Sequence, residues 1–219
     1  MIKRLFDLIF ASILLIALSP LFLFVAGWIK LEGGGPVFYR GVRVGRYGKP
    51  FKMLKFRTMV VDADRRGASS TAADDERITG CGHLIRRYKI DELPQLLNVL
   101  RGAMSIVGPR PQIAWAVELY DPEQKRKILS VRPGITDYAS IKFSNEAEIL
   151  RGSRDPDAAY LELIAPEKTR LALLYVEQQS LVTDLHIFRL TLLNLLGVRR
   201  VAEDQSAISE RHPVEGKRA

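Results

Sequence analysis

Two adjacent carboxylates, Asp91 and Glu92, are the residues of this sequence best suited to chemistry. They have an ordinary structural explanation, because acids at the start of a helix interact favourably with its dipole. Their neighbours favour a functional explanation, since guanidinium groups on both sides could clamp phosphate oxygens. Cations beside a carboxylate also favour its charged form, which is a nucleophile towards phosphorus. The neighbouring arginines are Arg86 and Arg87 before the pair and Arg110 after it.

A short helix is expected to position this carboxylate pair. Four leucines recur at the i, i+3, i+4 and i+7 spacing of one helix face, with Pro94 in the first turn and Gly102 at the end. The pair is therefore expected at the helix N-terminus. The preceding residues 60–82 are mostly polar, which predicts a mobile loop and, in an enzyme, a lid. The leucines are Leu93, Leu96, Leu97 and Leu100.

The other elements follow from hydrophobic patterning. Residues 37–59 alternate β-branched or aromatic residues with basic ones, which predicts a β-hairpin. Its glycines at 41, 45 and 48 are interpreted as turn residues, because no helix start follows them as in a phosphate loop. Residues 131–141 predict a turn and a short strand. Helices are predicted at 112–120, 122–129, 169–179 and 183–196, the last of them interfacial, and the tail after Val198 is expected to be disordered.

An apolar segment from about Leu5 to Ile29 is expected to enter a bilayer, whose core requires roughly 20 apolar residues of a helix. A signal peptide is disfavoured, because the run is too long and the single cysteine gives no support for export. A spanning helix remains the alternative. Basic residues flank both ends, and Ser19-Pro20 interrupts the middle, so a re-entrant hairpin is favoured. Asp7 is then expected at headgroup depth.

The net charge of +8 and pI near 9.7 suit nucleic acid, an anionic membrane or a phosphate-bearing substrate. A nucleic-acid partner is disfavoured, because the basic residues are dispersed and no recognisable binding module is present. Cys81 has no partner for a disulfide, and the three histidines lack cysteine neighbours typical of zinc sites. Any metal is therefore expected to be a hard cation held by carboxylates.

Motifs along nearly the whole chain, up to about Leu196, resemble those of the small monotopic phosphoglycosyl transferases, a family of bacterial sugar transferases. The motifs occur in the same order as in the family. They are Lys3-Arg4-x-Phe6-Asp7, Ser19-Pro20, Gly35-Pro36-Val37-Phe38, Lys55-Phe56-Arg57-Thr58-Met59, Asp91-Glu92-Leu93-Pro94-Gln95, Ser105-Ile106-Val107-Gly108-Pro109-Arg110-Pro111 and Arg132-Pro133-Gly134-Ile135-Thr136.

The resemblance implies a helix-rich α/β (α+β) fold. Residues 1–32 would form a re-entrant helix-break-helix anchor, and residues 33–197 a compact cytoplasmic catalytic domain with interfacial amphipathic helices. Residues 198–219 would be a disordered tail. The expected location is the cytoplasmic face of the bacterial inner membrane, in a monotopic arrangement with lipid contacts. A homodimer is left open.

The resemblance also implies a two-step transfer. Asp91 would attack a UDP-sugar, release UMP and hold the phosphosugar, which undecaprenyl phosphate would then accept during exopolysaccharide, capsule or O-antigen assembly. Glu92 would assist, with Mg²⁺ held by both carboxylates. The remaining site residues implied are Arg86 and Arg110 for phosphate, Lys55 and Arg57 as further substrate-binding residues, and Asp184 as either a functional carboxylate or a helix N-cap.

The chain departs from the family pattern after the motif that ends at Thr136. The family arginine in the following loop is absent, and Lys142 could supply a charge but not a bidentate fork. The sugar is therefore not identified by the resemblance. A non-catalytic scaffold that binds anionic lipid is the alternative function, but it leaves the carboxylate pair and its arginines unexplained.

Overall fold

Residues 2–197 are described by the computed structural model, and they form eleven α-helices and two small β-sheets. The predicted helix-rich α/β class is confirmed. The predicted disordered tail lies outside the described residues. The helices are α1 (Ile2–Ala17), α2 (Ser19–Gly33), α3 (Gly80–Arg87), α4 (Gln95–Leu100), α5 (Ala114–Glu118), α6 (Pro122–Ile128), α7 (Tyr138–Lys142), α8 (Glu146–Ile149), α9 (Pro156–Leu163), α10 (Ala165–Gln178) and α11 (Leu181–Leu195).

The chain bends by 62° between α1 and α2, at the predicted Ser19-Pro20 break. Pro20 cannot donate an amide hydrogen bond to the preceding turn, and the Ser19 hydroxyl donates to the Ile16 carbonyl at 2.8 Å instead. Within residues 2–197, neither helix alone is long and apolar enough to cross a membrane, whereas the bent pair together meets that length and composition.

Apolar side chains cover one exposed stripe of α1 and much of the exposed surface of α11. Those of α1 recur every three or four residues, so they share one helix face. The opposite face of α1 packs into the main core, where Ala11 is fully buried. The exposed apolar residues are Ile2, Leu5, Ile9, Ile13 and Ile16 on α1, and Val182, Leu185, Leu192 and Leu195 on α11.

Buried polar contacts join α1 to the rest of the chain. Asp7 is only 2% exposed, and its carboxylate accepts hydrogen bonds from the Ser105 hydroxyl at 2.8 Å and the Ile106 amide at 3.0 Å. Asp7 is therefore enclosed by protein partners distant in sequence, and its depth relative to a membrane stays a prediction. The first helix is thus joined to the domain by polar contacts as well as by apolar packing.

The predicted hairpin is confirmed as β1 (Phe38–Val44) paired antiparallel with β2 (Pro50–Phe56). Gly45 and Gly48 lie in the connecting turn, as predicted. Gly41 does not, because it stands opposite Met53 within the ladder. A side chain at Gly41 would meet the Tyr39 ring, with 2.8 Å between the added Cβ and the nearest ring atom.

The second sheet pairs β3 (Ser105–Val107) in parallel with β4 (Gly134–Thr136), which confirms the predicted short strand. The backbone at Gly134 approaches the backbone at Gly108 so closely that only glycine fits. A Cβ on Gly134 would lie 2.1 Å from the Gly108 amide nitrogen. The approach holds the turn that carries Arg110 against the end of β4, where the Gly134 amide donates to the Pro109 carbonyl at 3.0 Å.

The four further predicted helices are confirmed as α5, α6, α10 and α11, with shifted ends. Helix α10 begins four residues early, because Pro166 is well suited to a first turn. The predicted mobile segment 60–82 contains a 3-10 turn at Ala63–Arg65 and the start of α3, and its mobility stays a prediction. Helices α3, α7, α8 and α9 were not predicted, and α7 occupies the end of the segment 131–141 that was predicted as a turn and a short strand.

Candidate functional site

The carboxylate pair lies in a 3-10 turn, Ile90–Glu92, ahead of α4. The α-helix itself begins at Gln95, so the expected position at the helix N-terminus is corrected by one short turn. The side-chain amide of Asn98 fixes α4 against β2 by donating to the Lys52 carbonyl at 2.8 Å and accepting from the Leu54 amide at 2.9 Å. Strand β2 is thereby placed so that Lys55 reaches both carboxylates.

Glu92 is held by two cations. Both terminal nitrogens of Arg110 donate to its carboxylate, one of them over 3.0 Å, and Lys55 Nζ lies 3.0 Å from Oε1. Burial would raise the pKa of Glu92, but the charges of Arg110 and Lys55 outweigh burial and hold that pKa well below its usual range. Glu92 is therefore a fixed anion that orients the two cations.

Asp91 differs from Glu92 in having one unengaged oxygen. The residue is 4% exposed, and Lys55 Nζ lies 3.3 Å from its Oδ2. Its Oδ1 is buried and has no hydrogen-bond partner within residues 2–197. An unsatisfied buried carboxylate oxygen is unfavourable, so such an atom calls for an explanation, and a site for a reacting group is one.

A basic cleft of about 830 Å³ opens beside the carboxylate pair. Arg86 lines it, and its buried Nη1 has no hydrogen-bond partner in the described part of the chain. Burial lowers the pKa of Arg86, and the charge of Asp91 opposes the change. An unpaired guanidinium nitrogen suits a phosphate oxygen. The basic residues of the cleft are Arg43, Lys55, Arg86, Arg87, Lys89, Arg110, Arg151 and Lys168.

Sequence reasoning missed Arg43, Lys89, Arg151 and Lys168 in this cleft. Arg43 stands in an alternating strand and Lys168 in an amphipathic helix, so each resembles an ordinary surface charge in the sequence. A larger cavity of about 1170 Å³ lies between α6 and α10 and shares part of its wall with the cleft. It does not contain the carboxylate pair, and the cleft is therefore the candidate site.

Arg57 lies outside the cleft, although it is two residues from Lys55. Its side chain turns towards the end of α2, where Nη2 donates to the Gly34 carbonyl. Alternation would place Arg57 on the same face as Lys55, but Arg57 follows the last strand residue, Phe56, so the alternation does not extend to it. The structure thus brings Lys55, Arg86 and Arg110 to the carboxylate pair and does not bring Arg57 there.

Asp184 is also remote from the cleft, and it is fully buried among α1, α10 and β3. Lys3 Nζ lies 2.5 Å from its Oδ2, and the Tyr175 hydroxyl donates to its Oδ1 at 2.8 Å. The alternative prediction of a helix N-cap is wrong, because Ser180 caps α11 through the Thr183 amide. Asp184 joins the first helix to the domain.

We expect Asp184→Asn to destabilise the protein by about 3 to 5 kcal/mol, because the substitution removes the anion that pairs with a largely buried lysine. Thermal unfolding in detergent measures the change. The exposed pair of Glu123 with Lys127 supplies the control, Glu123→Gln, which should alter stability by less than about 0.5 kcal/mol. Equal midpoints for the two variants would contradict the prediction.

Lys142, considered as a substitute for the family arginine, points away from the cleft. Its Nζ lies 2.6 Å from Glu167 Oε1 on α10. The preceding Asp137 caps α7 through the Ser140 amide at 2.7 Å and accepts from the Arg110 amide at 3.2 Å. The departing segment therefore supports Arg110 through the Asp137 carboxylate, which accepts from the Arg110 backbone amide, rather than supplying a new cation.

Magnesium is the metal suggested by the sequence, and the carboxylates of the site fit it partially. No group of three or more histidine, cysteine or acidic side chains suited to a metal occurs within residues 2–197. Magnesium, however, commonly uses one or two carboxylates and completes its shell with substrate phosphate and water. Asp91 Oδ1 is free to be such a ligand, whereas both oxygens of Glu92 already face cations.

Comparison with known proteins adds a family to this geometry. The family described as bacterial sugar transferase matches residues 1–197. The chain is 39% identical over 210 residues to the uncharacterized sugar transferase EpsL of Bacillus subtilis (strain 168), covering 96% of this chain and 95% of that protein. It is 41% identical over 200 residues to the exopolysaccharide production protein ExoY of Sinorhizobium fredii, covering 84% and 81%.

A third relative has a named reaction. The UDP-glucose:undecaprenyl-phosphate glucose-1-phosphate transferase of Caulobacter vibrioides is 38% identical over 197 residues, which cover 89% of this chain and 69% of that protein. These matches confirm the predicted enzyme class in place of a non-catalytic scaffold. The chain belongs to the bacterial sugar transferase family and is a phosphoglycosyl transferase.

Proposed function

We propose that this protein transfers a sugar-1-phosphate from a UDP-sugar to undecaprenyl phosphate through a covalent intermediate on Asp91. The observation that carries the proposal is the unengaged Oδ1 of Asp91 in a cleft lined by basic residues. The names of two relatives, a UDP-glucose:undecaprenyl-phosphate glucose-1-phosphate transferase and an exopolysaccharide production protein, support these substrates and a role in exopolysaccharide production. We propose that the transfer is the first membrane step of that assembly.

In the first step, Asp91 Oδ1 attacks the sugar-bearing phosphorus of the UDP-sugar. A new O–P bond forms, the bond from that phosphorus to the bridging oxygen breaks, and UMP leaves with the electron pair. In the second step, a phosphate oxygen of undecaprenyl phosphate attacks the same phosphorus. The bond to Asp91 breaks, which regenerates the carboxylate and yields undecaprenyl diphosphate sugar.

The cations of the cleft stabilise the charge that develops in both steps. Lys55 bonds Oδ2 of Asp91 and leaves Oδ1 to react. Arg110 is oriented by its paired contacts with Glu92, and Arg86 offers an unpaired guanidinium nitrogen. Preorganised donors of this kind favour an anionic transition state, because they need no reorientation during the reaction.

Magnesium is proposed as the cofactor, and Asp91 would hold it through a carboxylate lone pair other than the one that attacks phosphorus, with Glu92 beside it. The ion would neutralise charge on the diphosphate of the donor. Lys55 and Arg110 keep Glu92 in place whether or not it contacts the ion.

A re-entrant position in the cytoplasmic face of the inner membrane would let the lipid phosphate meet the soluble donor at Asp91. The 62° bend and the exposed apolar stripe of α1 support this placement. Helix α11, with its own exposed apolar residues, would lie at the interface.

The test uses detergent-solubilised full-length protein with Mg²⁺ and a panel of UDP-sugars, first without an acceptor. We expect UMP in an amount equal to the enzyme, together with an intact-mass increase of one phosphosugar, because the first step does not need the acceptor. Adding undecaprenyl phosphate should then give continuous turnover. UMP that forms only when both substrates are present, without an adduct, would favour direct transfer. No UMP with any donor would refute the proposed donor class.

A further inference from the structure

An ion pair between a buried lysine and a partly exposed glutamate lies in the cleft and takes no part in the mechanism above. Lys168 is 8% exposed, and its Nζ lies 2.6 Å from Glu146 Oε2. The same Nζ lies 4.9 Å from the centroid of the Tyr160 ring, whose hydroxyl donates to Gln112 Oε1 at 3.4 Å. All four side chains belong to the lining of the cleft.

This pair lies next to the phosphate-binding part of the cleft. Burial lowers the pKa of Arg110 and Glu92 raises it, and Glu146 is near enough to raise it further. Glu146 and Lys168 also line the same cleft as Asp91 and Arg110. The sugar of a donor whose phosphorus reaches Asp91 would therefore occupy this cleft.

The charge of the pair decides what it can bind. Arg86 retains an unpaired nitrogen that suits phosphate. Lys168, in contrast, is neutralised by Glu146, whose carboxylate would repel a phosphate group. An ion pair with Gln112 beside it offers both donors and acceptors without net charge, which suits the hydroxyl and amide groups of a neutral sugar ring.

We propose that Glu146 and Lys168, with Gln112 beside them, form the subsite that recognises the sugar ring of the donor. This inference rests on the proposed function. A purely structural role, in which the pair only joins α8 to α10, predicts the same contacts and must be separated by experiment.

The experiment compares kcat/KM for four donors, UDP-glucose, UDP-galactose, UDP-N-acetylglucosamine and UDP-N-acetylgalactosamine, with undecaprenyl phosphate as acceptor. Glu146→Gln keeps the shape of the side chain and removes its charge. We expect the ratio of kcat/KM for the best donor to kcat/KM for the next best to fall about 10-fold or more. The reason is that a hydrogen bond to a charged group is lost for one donor only. The inhibition constant of UMP, which lacks the sugar, should not change.

The matched control is Glu167→Gln, which removes a carboxylate paired with Lys142 beside Lys168 on the same helix but outside the cleft. It should leave the donor ratio unchanged. An equal loss of kcat/KM for all four donors in Glu146→Gln would indicate a structural role and overturn the subsite. A matching change in the inhibition constant of UMP would also overturn it, because the pair would then contact the nucleoside.

Glu146→Asp provides a second variant if the first does not fold, because it retains the charge and moves the carboxylate by one methylene. The donor ratio must change for this variant also. A wild-type protein that uses all four donors equally would overturn the subsite alone. A wild-type protein that releases no UMP from any donor would overturn the proposed function, and the subsite with it.

Discussion

Asp91→Asn is expected to abolish UMP release, with a fall in kcat/KM of at least about 10³-fold, because an amide oxygen is a far weaker nucleophile than a carboxylate. The substitution preserves shape, and Lys55 can still contact the remaining carbonyl oxygen. Single-turnover release of UMP without an acceptor measures the first step directly. Intact mass on the same sample should show no phosphosugar adduct.

Asp155→Asn is the matched control for this substitution. Asp155 is exposed, caps α9 through the Asp157 and Ala158 amides, and asparagine caps a helix about equally well. The control should retain wild-type release and adduct formation. An Asp91→Asn protein with near-normal UMP release would remove Asp91 as the nucleophile and require another attacking group.

Arg110→Gln is expected to have the second largest effect, a loss of about 10² to 10³ in kcat/KM. The substitution removes a preorganised cation that faces the reacting phosphate. Of the two cations that hold Glu92, only Lys55 then remains. Burial disfavours the charged form of Glu92, and one cation offsets this less than two, so the pKa of Glu92 should rise.

The pH profile separates this cause from simple unfolding. In the wild type the pKa of Glu92 lies well below its usual range, so Glu92 stays ionised until the pH falls far into the acid region. In Arg110→Gln the acid limb of kcat/KM should move to higher pH. Arg154, which is exposed and outside the cleft, gives the control Arg154→Gln with an unchanged limb. An unmoved limb in Arg110→Gln would mean that Arg110 does not keep Glu92 ionised.

Several features of the site could be predicted because their signals are local. The carboxylate pair, the break at Ser19-Pro20 and the hairpin each depend on a few neighbouring residues: a charge pattern, a missing amide proton and an alternation. Local backbone preferences of this kind act within a turn or a strand, so they are readable without a tertiary structure. The family motifs added the chemistry that these patterns alone left open.

The errors and omissions have one physical origin. Gly41 looked like a turn residue, but it pairs with Met53 across the ladder. The sequence did not predict that Asp7 is buried, because its partner Ser105 on β3 is distant in sequence. Arg57 shares a motif with Lys55 yet turns away from the cleft, because the end of α2 offers it a carbonyl.

Sequence patterns alone indicated the family, the acidic pair at the centre of the site, the helix break and most of the elements around them. The folded structure was needed to show which cations contact that pair and which charges are structural. Arg110 is 18 positions from Glu92, whereas Lys3 is 181 positions from Asp184. The chemical type of a charged residue is known from the sequence, but its partner depends on packing. Lysines and arginines that look alike in the sequence differ in where the folded chain places them.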